Sequence, residues 1–207
     1  VPWRELEAKG WIATAECCEI RIPLTQELRL NYAIASRHAK FRIASENPNK
    51  TSLVENLIQK HRNDRVLVIG QYIDQIVELA RRFDAPLIMG QTPSEERDIL
   101  YHRFRLGEIR LLVVSKVANF AVDLPDANVA IQVSGTFGSR QEEAQRLGRI
   151  LRPKKSGEEA HFYTVITGET KEQEFAMKRQ LFLTEQGYRY HIEEYSDTLG
   201  NRATAPA

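Results

Sequence analysis

The residues best suited to chemistry stand in one run, Gln145-Arg146-Leu147-Gly148-Arg149-Ile150-Leu151-Arg152, opened by Gly138-Ser139-Arg140-Gln141-Glu142-Glu143-Ala144. Ser139 with Glu142 three residues on reads as a capping box, which predicts a helix from Ser139 through the arginines. At about 100° per residue, Gln145, Gly148, Arg149 and Arg152 share a narrow sector of that helix, with Ala144, Leu147 and Leu151 on the other side. A guanidinium is planar, permanently charged and offers several donors, so two of them one turn apart can grip a polyphosphate. Gly148 between them leaves room for a close approach, at a cost to the helix of about 1 kcal/mol. An ordinary amphipathic helix with a solvated basic face has the same spacing, so the surrounding sequence has to decide.

The elements that would position this run follow from periodicity. Cys18, Ile20 and Ile22 alternate with Glu19 and Arg21, the pattern of a strand ended by Pro23. Helix formers without Gly or Pro run from Thr25 to about Ser45, and Asn47-Pro48-Asn49 breaks the chain before a helix over Thr51 to His61. The continuous apolar run Val66–Ile69 reads as a strand buried on both faces, Leu87–Met89 repeats it, and Leu111–Ser115, Val129–Val133 and His161–Ile166 read as a third, fourth and fifth strand. Between them, helices are expected over Tyr72 to Phe83, then from a Thr92/Glu95 capping box with Pro93 at the first position to Leu106, with Gly107 as the stop. Thr170 with Gln173 caps a last helix that Gly187 ends. Buried strands alternating with helices predict an α/β, doubly wound, mostly parallel sheet with helices on both faces, preceded by a helical N-terminal extension. Ligands of such sheets bind beyond the strand C-termini. That edge carries Gly70-Gln71, Gly90-Gln91-Thr92, Ser115-Lys116 and Gly135 to Ser139.

Composition sets the bounds. With 207 residues, 42% hydrophobic and 28% charged, the chain has the make-up of a globular domain able to bury a core. The start, Val1-Pro2-Trp3-Arg4-Glu5, has no initiator Met and no apolar signal region, and no apolar run reaches membrane length; an intracellular fragment without a membrane partner is expected. Cys17 and Cys18 are neighbours in sequence, which excludes a disulfide framework and suits core positions. The five histidines show no metal-ligand spacing, so no metal site is expected. The net charge of +1 conceals two windows of +4. One holds Arg29, Arg37, Lys40 and Arg42 without an acid; the other spans Arg140 to Lys155. Cations grouped on a near-neutral chain suggest aimed contacts.

A nucleotide-binding domain working alone needs a G-x-x-x-x-G-K-[S/T] phosphate loop and an acidic pair for magnesium, and this sequence has neither. An arginine-bearing α/β domain can instead supply positive charge to a nucleotide held elsewhere. At this point the residues match a known pattern. Q-x-x-G-R-x-x-R at Gln145 to Arg152 resembles motif VI of superfamily 2 helicases, and Ser115-Lys116-Val117-Ala118-Asn119-Phe120-Ala121-Val122-Asp123-Leu124-Pro125 resembles motif V. More narrowly, Asp123 to Val129, Gly138 to Arg149, and Arg179-Gln180 with Phe182-Leu183 and Gln186-Gly187-Tyr188 resemble the XPB-type DNA repair helicases, from about Trp3 to Ile192.

The resemblance implies a RecA-like fold, and this chain matches the second of two motor domains that bind ATP and DNA across their interface. It implies that Arg149 and Arg152 approach the γ-phosphate as arginine fingers, that Gln145 couples the ATP and DNA sites, and that Asp123 contacts the ribose. It places Gln71, Thr92, Arg97 and Ser115 beside the backbone of the tracked DNA strand, and Arg37 and Lys40 in a thumb-like DNA-gripping segment. ATP with Mg²⁺ would be held mainly by the first RecA-like domain. One departure is Ala121, where many superfamily 2 sequences carry Gly two residues before the Asp.

The organisation expected is a connector strand from a missing first motor domain over 1–24, a basic helical segment over 25–62, the second RecA-like domain over 63–192, and a disordered tail over 193–207. The function expected is a 3′-5′ DNA helicase or translocase of nucleotide excision repair, inactive as this fragment alone. Its partners would be DNA, the first motor domain, and a repair nuclease or a repair/transcription complex. It would work in the cytoplasm or nucleoid of a prokaryote or the nucleus of a eukaryote. The alternative is a catalytically silent RecA-like module that docks a repair nuclease. An unrelated small-molecule enzyme is disfavoured, because no Gly-rich cofactor loop or acid-base pair is present.

Overall fold

The computed structural model describes residues 15–116, 127–135 and 160–195. In chain order these form β1 (Ala15–Ile22), α1 (Gln26–Ile34), α2 (Arg37–Ser45), α3 (Asn49–Lys60), β2 (Val66–Gly70), α4 (Ile73–Arg82) and β3 (Leu87–Ile88). Then come α5 (Ser94–Leu106), β4 (Leu111–Ser115), β5 (Val129–Gln132), β6 (Ala160–Thr167), α6 (Lys171–Glu185) and β7 (Arg189–Glu194). The strands make one seven-stranded sheet in the order β3-β4-β2-β5-β6-β1-β7. Every pairing is parallel, which is the doubly wound architecture that alternating strands and helices predict.

The apolar runs are continuous because both faces are covered. In β2, Leu67 and Ile69 point to one face and Val66 and Val68 to the other, following the two-residue period of a strand. The first face packs under α5 and α6 through Tyr101, Phe104, Phe182 and Leu183, and buries Cys17 and Phe162. The second packs under α3 and α4 through Leu53, Val54, Leu57, Ile76 and Leu79, and buries Ile20, Ile22, Val113 and Val165. Each of these side chains contributes about 1.5–3 kcal/mol by leaving water. Cys17 and Cys18 are free and buried, the core positions their sequence suggests.

Four local details differ from expectation. The helix expected over 25–45 is two, because the Ser36 hydroxyl accepts the Ala39 N–H (3.4 Å) and starts α2 anew. Thr92 does not cap α5: its hydroxyl accepts the Met89 N–H (2.9 Å) within a turn, Pro93 is the N-cap residue, and the helix begins at Ser94. At α6, Thr170 does cap, accepting the Glu172 N–H, but Gln173 reaches back to the Glu169 N–H (2.9 Å) rather than to that of Thr170. Strand β7 was not expected; it pairs with β1 along the sheet edge. Gly107 behaves as predicted, ending α5 in the left-handed conformation with φ 78°.

Candidate nucleic-acid and nucleotide edge

Parallel strands bring their C-terminal ends to one edge, and the sheet order fixes which loops are neighbours there. The loops after β3, β4, β2 and β5 follow one another across three strand intervals, about 14 Å in all. Gly70 and Ser115 are register partners, so Gln71 and Ser115 sit side by side. The Gln71 backbone N–H donates to the Ser134 hydroxyl (2.9 Å), joining the end of β2 to the end of β5. Gly70 is required at this junction, since a Cβ there would stand 2.3 Å from Ile76 Cγ2. Gly135 follows at φ +133°, where an added Cβ would meet Gln132 Nε2 at 2.9 Å.

The candidate DNA residues divide by exposure. Gln71 is exposed, whereas Ser115 is buried at 1% exposure. Thr92 is half-buried and its hydroxyl is engaged by Met89; its carbonyl accepts Arg97 Nη2 (2.9 Å). Arg97 thus folds back over the 90–92 turn, with its buried Nε unpartnered. Arg37 is exposed in the first turn of α2, where the helix dipole disfavours a cation. Lys40 lies over the Tyr32 ring at 5.4 Å. Arg29 approaches Glu169 (3.7 Å), and Arg42 pairs with Glu46 (2.9 Å) and Asp74 (2.6 Å), which leaves Arg37 without an ion pair among the described residues.

Behind the edge lies a polar hub that the sequence reading missed. Lys50, 1% exposed, donates to the Val133 carbonyl (2.9 Å) and to Glu172 Oε2 (2.8 Å). Glu172 also accepts the Ser45 hydroxyl (2.7 Å) and the Thr167 N–H (2.8 Å). The Thr167 hydroxyl donates to the Ala44 carbonyl (2.6 Å) and accepts from Asn47, and Gln75 donates to the Ser45 carbonyl (2.6 Å). Burial pulls the Lys50 ammonium below the ordinary lysine range, against the Glu172 carboxylate that favours its charge. One signal was available: Lys50 sits three, four and seven residues before Leu53, Val54 and Leu57, on their buried stripe.

This edge carries the exposed Gln71 amide and the half-buried cations Arg97 and Lys116, donors of the kind that fit phosphate. The nearest carboxylates in sequence, Asp74, Glu95 and Glu96, lie in the first turns of helices, and Asp74 is taken by Arg42. Asp123, Gln145, Arg149 and Arg152 lie outside the described residues. Among the described residues, no group of three or more His, Cys, Asp or Glu could hold a metal, and no helix is long and apolar enough to cross a membrane.

Comparison with known proteins adds the following. The model of the ERCC3/RAD25/XPB C-terminal helicase family matches residues 6–204. The chain is 55% identical over 199 residues to the DNA 3'-5' helicase XPB of Kineococcus radiotolerans, covering 96% of this chain and 36% of that protein. The protein of the same name from Mycobacterium tuberculosis is 52% identical with the same coverage. The general transcription and DNA repair factor IIH helicase/translocase subunit XPB/SSL2 of Saccharomyces cerevisiae is 37% identical over 92% of this chain and 23% of its own length. The chain therefore spans at most about a third of these relatives. In fold it is similar to T4 UvsW (TM-score 0.64, 14% identity, 87% of this chain and 41% of that one). It is also similar to the C-terminal domain of the DEAD-box protein Dbp5 (TM-score 0.57, 10% identity, 88% and 91%).

Proposed function

The chain belongs to the ERCC3/RAD25/XPB C-terminal helicase family, and from that premise we propose that it is the second RecA-like motor domain of an ATP-dependent 3′-5′ DNA helicase or translocase acting in nucleotide excision repair. The observation that carries this reading is the 55% identity, over 96% of the chain, to a protein named as a DNA 3'-5' helicase. The phosphate-compatible edge and the absence of a phosphate loop in the sequence support it.

In this reading ATP with Mg²⁺ is held mainly by the first motor domain and supplies the phosphoryl group whose cleavage drives movement. This chain contributes charge and coupling. Arg149 and Arg152 meet the γ-phosphate when the two domains close, Asp123 contacts the ribose, and Gln145 links that site to DNA. Closure thereby controls hydrolysis. Gln71, Thr92, Arg97 and Ser115 line the track of the DNA backbone. Gln71 reaches it with its exposed amide, Arg97 and Thr92 act by shaping the 90–92 turn, and Ser115, buried at the end of β4, lies beneath the track rather than on it. Contacts of this kind read little base sequence, as a translocase requires. Repair or transcription-complex proteins and a repair nuclease are the partners such a motor would serve.

Arg37 and Lys40 give the reading its first test. Arg37→Ala with Lys40→Ala is expected to weaken binding to single-stranded DNA and to reduce the slope of log K against log salt by about 1.4, at roughly 0.7 per lost phosphate contact. A salt titration of DNA affinity measures this. An unchanged slope would make α2 a solvated face and remove it from the DNA path.

A further inference from the structure

The hub behind the edge joins the two places where this domain would meet its ligands. At one end, Ala44 and Ser45 form the last turn of α2, whose first turn carries Arg37 and Lys40. Their carbonyls and hydroxyl bond to Thr167, Gln75 and Glu172. At the other end, Lys50 holds the carbonyl of Val133, the residue directly before Ser134, and Ser134 in turn accepts the Gln71 N–H. Ser45, Gln71, Gly135 and Glu172 all border one narrow cleft, so the carboxylate lies close behind the edge itself. Four elements, α2, α3, β6 and α6, together with Val133 directly after β5, thus converge on one buried ion pair.

Stability alone is a weak reason for that arrangement. A buried ion pair is often replaceable by apolar side chains at no cost in stability, because the two charges lose their hydration when they are buried. What a satisfied polar network adds is a discrete geometry shared by all its members. A displacement of α2 therefore cannot leave Glu172 bonded as it is without moving the Thr167 and Val133 contacts with it.

We propose that Lys50 and Glu172 are positioning residues that couple DNA contact at α2 to the setting of the Gln71–Ser134–Gly135 edge, and so to the rate of ATP hydrolysis. The inference rests on the motor reading above. Its physical basis is a contiguous hydrogen-bonded network between two sites rather than nearness alone.

The test uses the protein that joins this chain to its first motor domain, with ATP turnover measured with and without single-stranded DNA. Lys50→Met with Glu172→Gln removes both charges together, so neither is left buried alone. Turnover without DNA is expected within about twofold of wild type, while the ratio of stimulated to unstimulated turnover falls about tenfold, the size of an ordinary coupling between sites. An unchanged ratio overturns the proposal, as does a parallel fall of both rates, which a purely structural role would give. If the double variant fails to melt cooperatively, Ser45→Ala takes its place, since it removes only the hydroxyl that links α2 to Glu172. Its ratio is expected to fall severalfold, and an unchanged ratio overturns the proposal equally. Absence of DNA stimulation in the wild type would instead overturn the motor reading, and the inference with it.

Discussion

Arg152→Ala, in the protein that carries a first motor domain, is expected to lower ATP hydrolysis by roughly 10³-fold or more while ATP affinity changes little. In the motor reading a phosphate loop of the first motor domain holds the nucleotide in the ground state, so removing a guanidinium from the opposite side should cost little binding. In the transition state, charge spreads over the equatorial oxygens of the transferring phosphoryl group, and a guanidinium brought in at closure stabilises that charge specifically. Arg149 lies three residues earlier on the same face of the expected helix, so Arg149→Ala should fall in the same direction. Lysine at 152 should not restore the rate, because a single ammonium lacks the planar fork. Steady-state turnover together with nucleotide affinity separates the two effects. Wild-type turnover in Arg152→Ala would remove the finger role.

The second large effect concerns stability. Lys50→Ala is expected to destabilise the chain by about 3–5 kcal/mol, because it leaves the Glu172 carboxylate buried without its cation. The Val133 carbonyl loses a donor as well. For a domain of this size that corresponds to a lowering of Tm by about 2–4 °C per kcal/mol. Ser45→Ala provides the comparison: it removes one of several donors to Glu172 and should cost about 1 kcal/mol. Thermal melts of the two variants measure the difference. Equal and small shifts would mean that water or a neighbouring group satisfies Glu172 when Lys50 is absent. The contrast with Lys50→Met/Glu172→Gln is informative too, since neutralising both partners should restore most of the loss.

Much of the architecture could be read from the chain because parallel strands buried on both faces leave uninterrupted apolar runs. Val66–Ile69 and Leu111–Val114 needed no partner information to be recognised. Capping was less legible. Ser36, Thr92 and Gln173 each have a choice of backbone donors, and which one a short polar side chain takes depends on the path of the loop, not on spacing. Strand β7 is mostly exposed and pairs only at an edge, so its period was too weak to stand out. The candidate edge followed from topology: once the strands are parallel, the loops at 71, 92, 115 and 134 must share a side. The polar hub did not follow, because lysine and glutamate are ordinarily solvated. Only the helical position of Lys50 relative to Leu53 and Leu57 marked it as buried. Motif VI and Asp123 were legible in sequence, but they lie outside the described residues, so their roles stand as proposals on the family pattern.

The central claim is that this chain forms half of an ATP site that another motor domain completes. The most direct test measures ATP turnover, with and without single-stranded DNA, for the 207-residue chain alone and for the chain joined to a first motor domain. No DNA-stimulated turnover is expected from the chain alone, and clear stimulation from the joined protein. Turnover by the isolated chain equal to that of the joined protein, or none from the joined protein with DNA present, would contradict it.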